Sequence, residues 1–499
     1  MNTLPAWILL ILLCALMLSS RLGSALGLKL PWYRDVVAVT LVPWIAGVVL
    51  YLLPLFEFRE RIEMRHAAYL GGSLACLMLG ALIARFLMAP KTLRGGGAAT
   101  AAAPVKVPGD SPALLWSVGL LGLISQAAIV GRALAAGGVS LLDRLSGEGL
   151  DSVRLQNAAM AMGIDGTGHT RLAVFGAAAF VFVCMVAGGA LQRAELKSGA
   201  RRMLYWIAIG CALLIAFNGV FIRGGRMELV LLLSAIGLAA LLDSERHMIQ
   251  GFKRRVVKGR FVVVAVTVLL GVALAWYFST GFTKKRIGTA SAYAAMEQYH
   301  RTKPSATLEH LTAGIPSLEF AALNLSYLPV PLTTFGYYYD LGHGWFPGPF
   351  FGQYNFTGPV TFAMRRAGFR DEQSTLQDIR FEVTRDLRLR GYGDNVWPTA
   401  LRDLALDVGW HAVPPLMLLF GLASQALLIV AGRSHGGVFM AMAPLAMLWL
   451  AFSIAHSLFV LESFAVGLYM CVAVLIVQKL TRRPARPRRP VLLATAPGG

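Results

Sequence analysis

Eleven stretches of this sequence are apolar enough and long enough to cross a hydrocarbon core about 30 Å thick. They are Leu4–Ser20, Val36–Phe56, Ala67–Met88, Ala113–Ile129, Leu172–Leu191, Met203–Ile222, Met227–Leu242, Phe261–Phe282, Val413–Val430, Val438–Ala455 and Leu458–Gln478. Charged residues make up 14% of the chain and apolar residues 56%. A soluble globular protein carries roughly 25% charged residues. A transmembrane β-barrel would show short alternating segments instead. The expected fold class is therefore an all-α polytopic integral membrane protein. About eleven transmembrane helices are expected, with one large external loop containing short helices.

The first Lys or Arg is Arg21, so the chain opens without the charged region of a cleaved signal peptide. Its first apolar segment reads as a retained span. Lys/Arg bias sets the orientation. The odd-numbered turns, Arg85 and the C-terminal tail hold 24 of the 46 basic residues, the short loops opposite hold 9, and the long loop 284–412 holds 13. The richer side is expected to be cytoplasmic, which makes the N-terminus and the long loop external, or periplasmic in a Gram-negative cell. The net charge of +20 is then mostly a topology signal, and nucleic acid is not an expected partner. All five cysteines fall inside predicted spans and read as buried apolar thiols.

The chain divides into a three-span segment (1–88), a Gly/Ala/Pro linker (89–112), central transmembrane helices (113–283), the long loop (284–412), C-terminal transmembrane helices (413–480) and a basic, Pro-rich tail (481–499). The long loop suggests a helix near Ala290–Arg301 and an apolar stretch, Ile315–Tyr339, broken by Pro329 and Pro331. That stretch is expected to lie against or dip into the bilayer. A Gly/Pro/aromatic section around His343 follows, then a charged helix at about Glu372–Leu389. Asp394 or Asn395 could cap a last helix with Pro398 in its first turn.

Three clusters could carry chemistry. Arg223-Gly-Gly-Arg226 forms a very short external turn at the start of a span. Two guanidinium forks beside a helix N-terminus suit an anion such as phosphate; snorkelling interfacial arginines are the alternative. Arg380, Arg385, Arg388 and Arg390 form the second cluster, either a phosphate or sugar contact or a salt-bridged helix face with Glu382 and Asp386. The third, Asp394, Asn395, Trp397, Arg402 and Asp403, combines groups that bind hydroxyls, stack on sugar rings and carry charge at the mouth of a span. An N-cap and an interfacial Trp explain it equally well. No metal-ligand spacing and no nucleotide-binding motif occurs, so no cofactor is expected.

Three segments resemble Wzy-type polymerases, the family of O-antigen and oligosaccharide-repeat-unit polymerases. They are Phe217–Arg226 running into a Leu-rich span, Leu325–Asp340, and Asn395–Trp410. Arg380 and Gly391 also match an Arg-X10-Gly spacing found in external loops of some members. The resemblance implies en bloc transfer of a growing glycan from undecaprenyl diphosphate to the sugar of a new lipid-linked repeat unit, serving O-antigen, capsule or exopolysaccharide synthesis. Donor and acceptor would both be undecaprenyl-diphosphate-linked oligosaccharides. Membrane lipid, a chain-length regulator and a flippase are further implied partners. Arg223, Arg226, Arg385, Arg388 and Arg402 would stabilise the leaving diphosphate. Asp340, His343 and Asp394 are candidate bases, and Asn395 and Trp397 candidate sugar contacts. An O-antigen ligase or another polyprenyl-linked-sugar glycosyltransferase is the alternative from the same donor chemistry. A lipid-linked glycan flippase is the second, although ionisable residues are scarce within the spans.

Overall fold

Ten of the eleven apolar stretches coincide with helices in the computed structural model. The structure describes residues 3–25, 34–88, 111–135, 166–219, 227–249, 291–313, 315–341, 349–352, 354–355, 398–433, 437–460 and 462–480. The stretch 261–282 lies outside them. The first helices are α1 (Leu4–Ala25), α2 (Val36–Leu52) and α3 (Met64–Met88), with strand β1 (Phe56–Phe58) between α2 and α3. Then come α4 (Pro112–Ala135), α5 (Gly166–Ala187), the single turn α6 (Ala190–Arg193), α7 (Ser198–Phe217) and α8 (Met227–Ile249). The long loop contributes α9 (Ala292–His300), β2 (Thr302–Pro304), α10 (Ala306–Thr312), α11 (Pro316–Ser326), α12 (Val330–Leu341) and α13 (Ala400–Val408). The chain closes with α14 (Val413–Arg433), α15 (Gly437–Phe452) and α16 (Glu462–Leu480). Four helical stretches have the length and apolarity to cross a membrane: Met64–Met88, Pro112–Arg132, Ser198–Phe217 and Trp410–Gly432. Six further apolar helical stretches are shorter.

Local chemistry sets the ends of these helices. Asp35 caps α2 by accepting from the backbone N–H of Val37 at 2.9 Å and of Ala38 at 3.4 Å, an arrangement worth about 1 kcal/mol. The expected span Val36–Phe56 stops short, at Leu52, because Pro54 disfavours helical backbone at the residue before it. Phe56 instead enters β1, which pairs antiparallel with β2 from the long loop: Phe56 opposite Pro304, Glu57 opposite Lys303, Phe58 opposite Thr302. Ser305 anchors the same junction, donating its hydroxyl to Pro54 O at 2.6 Å and capping α10 through Leu308 N at 3.2 Å.

The closest helix contact joins α3 to α14. A methyl group at Gly80 would strike the Leu418 carbonyl, and one at Gly421 would strike that of Leu77. Small residues let two backbones approach in this way, the usual basis of helix association in membranes. The two helices run parallel: Tyr69 meets Trp410 near their starts, and Arg85 meets Gln425 further along. At this further level Ser20, Asp35, Arg85 and Gln425 form a buried polar network across α1, α2, α3 and α14. At the opposite end lie the β1–β2 pair, α12, α13 and the turn after α15.

The long loop packs into the bundle. The turn between α11 and α12 brings the Leu328 carbonyl to 3.0 Å from where a Cβ of Gly47 in α2 would stand. The last loop helix differs from expectation. Thr399, not Asp394 or Asn395, is the N-cap residue of α13, and Pro398 lies before the helix. No side-chain cap forms. The Ala400 N–H instead donates to Ser453 O at 2.8 Å, so a tertiary contact satisfies a donor that a capping side chain would otherwise take.

Candidate functional site

The N-terminus of α3 carries one half of a capping box, with histidine in the third position. Ala67 N donates to Glu63 O at 3.0 Å, making Glu63 the N-cap residue. The Glu63 N–H in turn donates to Nδ1 of His66 at 3.1 Å, the reciprocal bond that Glu or Gln ordinarily supplies. A nitrogen that accepts an N–H must carry a lone pair, so the ring proton sits on Nε2. That nitrogen lies 2.7 Å from Oδ1 of Asp340, at the end of α12. Close packing makes this approach possible: a Cβ at Gly336 of α12 would stand 2.8 Å from His66 Nδ1.

Arg65 completes the cluster. Its Nη2 is 3.0 Å from Oδ1 of Asp340, and its Nε is 3.0 Å from Glu63 Oε2. His66 is 2% exposed and Asp340 34%. Both contacts on Asp340 fall on Oδ1, leaving Oδ2 without a hydrogen-bond partner among the described residues. Ligand atoms of Glu63, His66 and Asp340 lie within 4.8 Å of one another, close enough to hold a cation. The hydrogen bonds oppose that use. His66 has no lone pair to offer, and Arg65 already bridges both carboxylates.

The half-buried Tyr69 and Tyr339 and the buried Trp410 form the wall beside Asp340. Tyr339 packs against Tyr69 at 4.9 Å and Trp410 at 5.2 Å between ring centroids, and edge-on to His66 at 5.6 Å. Tyr69 donates its hydroxyl to the Trp410 carbonyl. On the other side of α12, Tyr338 is buried and stacks on Arg402 of α13, 4.6 Å from ring centroid to guanidinium carbon. Arg402 is buried too, with Nη2 3.2 Å from Asp403 Oδ1 and Tyr354 at 5.7 Å. Its Nε and Nη1 have no hydrogen-bond partner among the described residues. Nearby negative and phenolic groups favour its charged form against the cost of burial.

Two acids on one face of α13 have structural duties. Asp403 accepts from Ser457 N at 2.7 Å. Asp407 accepts from Tyr354 N, Asn355 N and Asn355 Nδ2, each at 2.8 Å. Burial raises the Asp407 pKa above the ordinary carboxylate value, while these donors pull the other way. The bonds of Asp407 hold Tyr354 and Asn355 against α13. Phe350 N and Phe351 N add bonds to Leu406 O and Asp407 O, each 2.9 Å.

Of the residues singled out from sequence, Asp340, Arg402 and Asp403 are described, and α12 links the first two: Asp340 meets His66 and Arg65, and Tyr338 meets Arg402. Arg223, Arg226, His343, Arg385, Arg388, Asp394, Asn395 and Trp397 lie outside the described residues. Sequence reasoning assigned no role to Glu63, Arg65, His66, Tyr338 or Tyr354. Glu63 followed by His66 at the start of an apolar helix was the one available signal, and it resembles a capping box only if histidine is allowed at its third position. No family model, curated protein or solved structure matches the chain. The fold itself defines a class, a helical protein whose apolar helices fit a multi-pass membrane protein.

Proposed function

We propose that this chain is a bacterial inner-membrane glycosyltransferase that polymerises undecaprenyl-diphosphate-linked oligosaccharide repeat units by en bloc transfer. In this reading eleven helices span the membrane, the N-terminus and long loop are periplasmic, and the C-terminus is cytoplasmic. The threading is supported by where segments meet. The α2–α3 connection, the long-loop helices and the turn after α15 share one end of the bundle. The Arg85 network and the Arg193–Asp243 pair lie on segments assigned to the other side.

One observation carries the chemical reading. Asp340, whose Oδ2 has no hydrogen-bond partner among the described residues, and Arg402, whose Nε and Nη1 have none among them, flank one short helix beside half-buried tyrosine rings. Glycosyl transfer from a lipid diphosphate needs a base for the acceptor hydroxyl and fixed positive charge for the departing diphosphate. Asp340 fits the first role and Arg402 the second, with Arg223, Arg226, Arg385 and Arg388 as further candidates for the diphosphate. His343 and Asp394 remain candidate bases, and Asn395 and Trp397 candidate sugar contacts. Deleting the gene tests the reading. A polymerase predicts surface glycans capped with single repeat units, restored to long chains by the wild-type gene. Uncapped core with polymer accumulating on the lipid carrier would indicate a ligase instead, and unchanged long chains would refute both.

A further inference from the structure

We propose that His66 is the positioning residue for the acceptor base, Asp340; the inference rests on the polymerase reading above. The capping bond from Glu63 N–H to Nδ1 fixes the proton on Nε2. His66 is therefore a donor to Asp340 and cannot itself take a proton from substrate through either nitrogen while both bonds stand. Burial of the ring, its packing against Gly336 and the edge contact with Tyr339 lock its orientation. Arg65 adds a second donor to the same carboxylate oxygen. The result is a partly exposed carboxylate held at one oxygen by two donors, with no partner on Oδ2 among the described residues.

The step that follows is balanced. The acceptor hydroxyl gives its proton to Asp340 Oδ2 as its oxygen bonds to the anomeric carbon of the donor glycan. The bond from that carbon to the diphosphate oxygen breaks, and the lipid diphosphate leaves with the electron pair. His66 touches neither sugar; it sets where Oδ2 points.

Two substitutions separate positioning from capping. In His66→Asn the amide oxygen can replace Nδ1 in the capping bond, but no donor reaches Asp340. In His66→Gln the longer side chain places an amide N–H near the position of Nε2. The protein is reconstituted in nanodiscs and supplied with lipid-linked repeat units extracted from a strain lacking the gene. H66N is expected to lower kcat by about ten- to hundredfold with KM within about twofold, and H66Q to stay within about threefold of wild type. D340N is expected to lower kcat by about 100-fold or more, and H66N/D340N to be no slower than D340N. The nitrogen NMR spectrum of histidine-labelled protein should show a neutral, Nε2-protonated ring that H66N removes. Wild-type kcat in H66N, equal losses in H66N and H66Q, or an Nδ1-protonated ring would overturn the proposal. Wild-type protein that makes no polymer from these units would instead overturn the polymerase reading.

Discussion

Asp35 and Arg85 form a buried ion pair in which one carboxylate oxygen does two jobs. Oδ1 of Asp35 accepts from Nη2 of Arg85 and also from the Val37 N–H that it caps at 2.9 Å. Ser20 and Gln425 supply further bonds to the same pair, Gln425 to the Arg85 Nε at 3.3 Å. The start of α2 and the end of α3 are therefore tied through one atom. Removing a single partner from a buried pair typically costs about 3–5 kcal/mol, whereas replacing both by fitting neutral groups is often neutral. Arg85→Met is expected to lower the melting temperature of the detergent-solubilised protein markedly. Asp35→Ser with Arg85→Met, which keeps a capping hydroxyl, should recover most of the loss. A double variant as unstable as R85M would show that the pair is needed for itself.

His300 is expected to make the α9–α11 region acid-sensitive. Its ring is buried, its Nδ1 pairs with Ser326 Oγ at 2.7 Å, and burial lowers its pKa to about 4. The folded form therefore resists protonation that the unfolded chain accepts near pH 6.5. The resulting stability is complete above pH 6.5, falls as the pH drops, and is exhausted below pH 4. Linkage gives a loss of about 2 kcal/mol at pH 5. Hydrogen exchange over residues 291–326 at pH 7.5 and pH 5 should show the segment opening, and His300→Phe should flatten that difference.

Asp407 holds segment 349–355 in place, so Asp407→Ala strands the backbone donors of Tyr354 and Asn355. Each buried donor left unpaired costs about 1–3 kcal/mol. Limited proteolysis should cut near 350–355 in D407A and spare the wild type. Equal protection in both would show that the backbone bonds of Phe350 and Phe351 suffice to hold the segment.

Arg402 joins stacking to charge, and the two can be separated. Arg402→Lys keeps the charge and loses the planar contact with Tyr338 together with the unused Nε and Nη1 donors. Under the polymerase reading, R402K should reduce long-chain glycan in a complemented deletion strain at least about tenfold, and R402M should abolish it. Full-length glycan from both variants at normal expression would remove Arg402 from the diphosphate site.

Gly80 and Gly421 should tolerate no side chain. Overpacking of this kind costs about 1–3 kcal/mol, and here the obstructing atoms are backbone carbonyls, which cannot rotate away. G80A and G421A should each lower the melting temperature. Gly72, which meets nothing within 4 Å, should accept Ala without loss.

Helices were the legible part of this sequence because lipid-length apolar runs leave few other structures. The stretch Ile315–Tyr339 was legible as apolar chain broken at Pro329 and Pro331, and the break falls between the helices Pro316–Ser326 and Val330–Leu341. Boundaries failed where tertiary contacts decide them. Ala400 N–H finds Ser453, far away in the chain, so no capping residue near α13 could announce where it starts. The site was harder still. Asp340 and Arg402 were chosen for their charge, but their partners come from α3 and from neighbours on α12 and α13. His66 stands 274 residues from Asp340, and no local pattern records so distant a pairing.

The pairing of β1 with β2 also has a consequence for synthesis. Residues 56–58 leave the ribosome well before residues 302–304, so the short strand between the second and third helices waits with an unsatisfied edge while most of the helices are made. An edge of this kind recruits whatever strand it meets. Its three-residue length and the outward Glu57 limit that hazard, and the matching Lys303 supplies the opposite charge when the right partner arrives. An excised long loop would lack its own strand partner, so this loop and the first three helices form one cooperative unit that translation completes late.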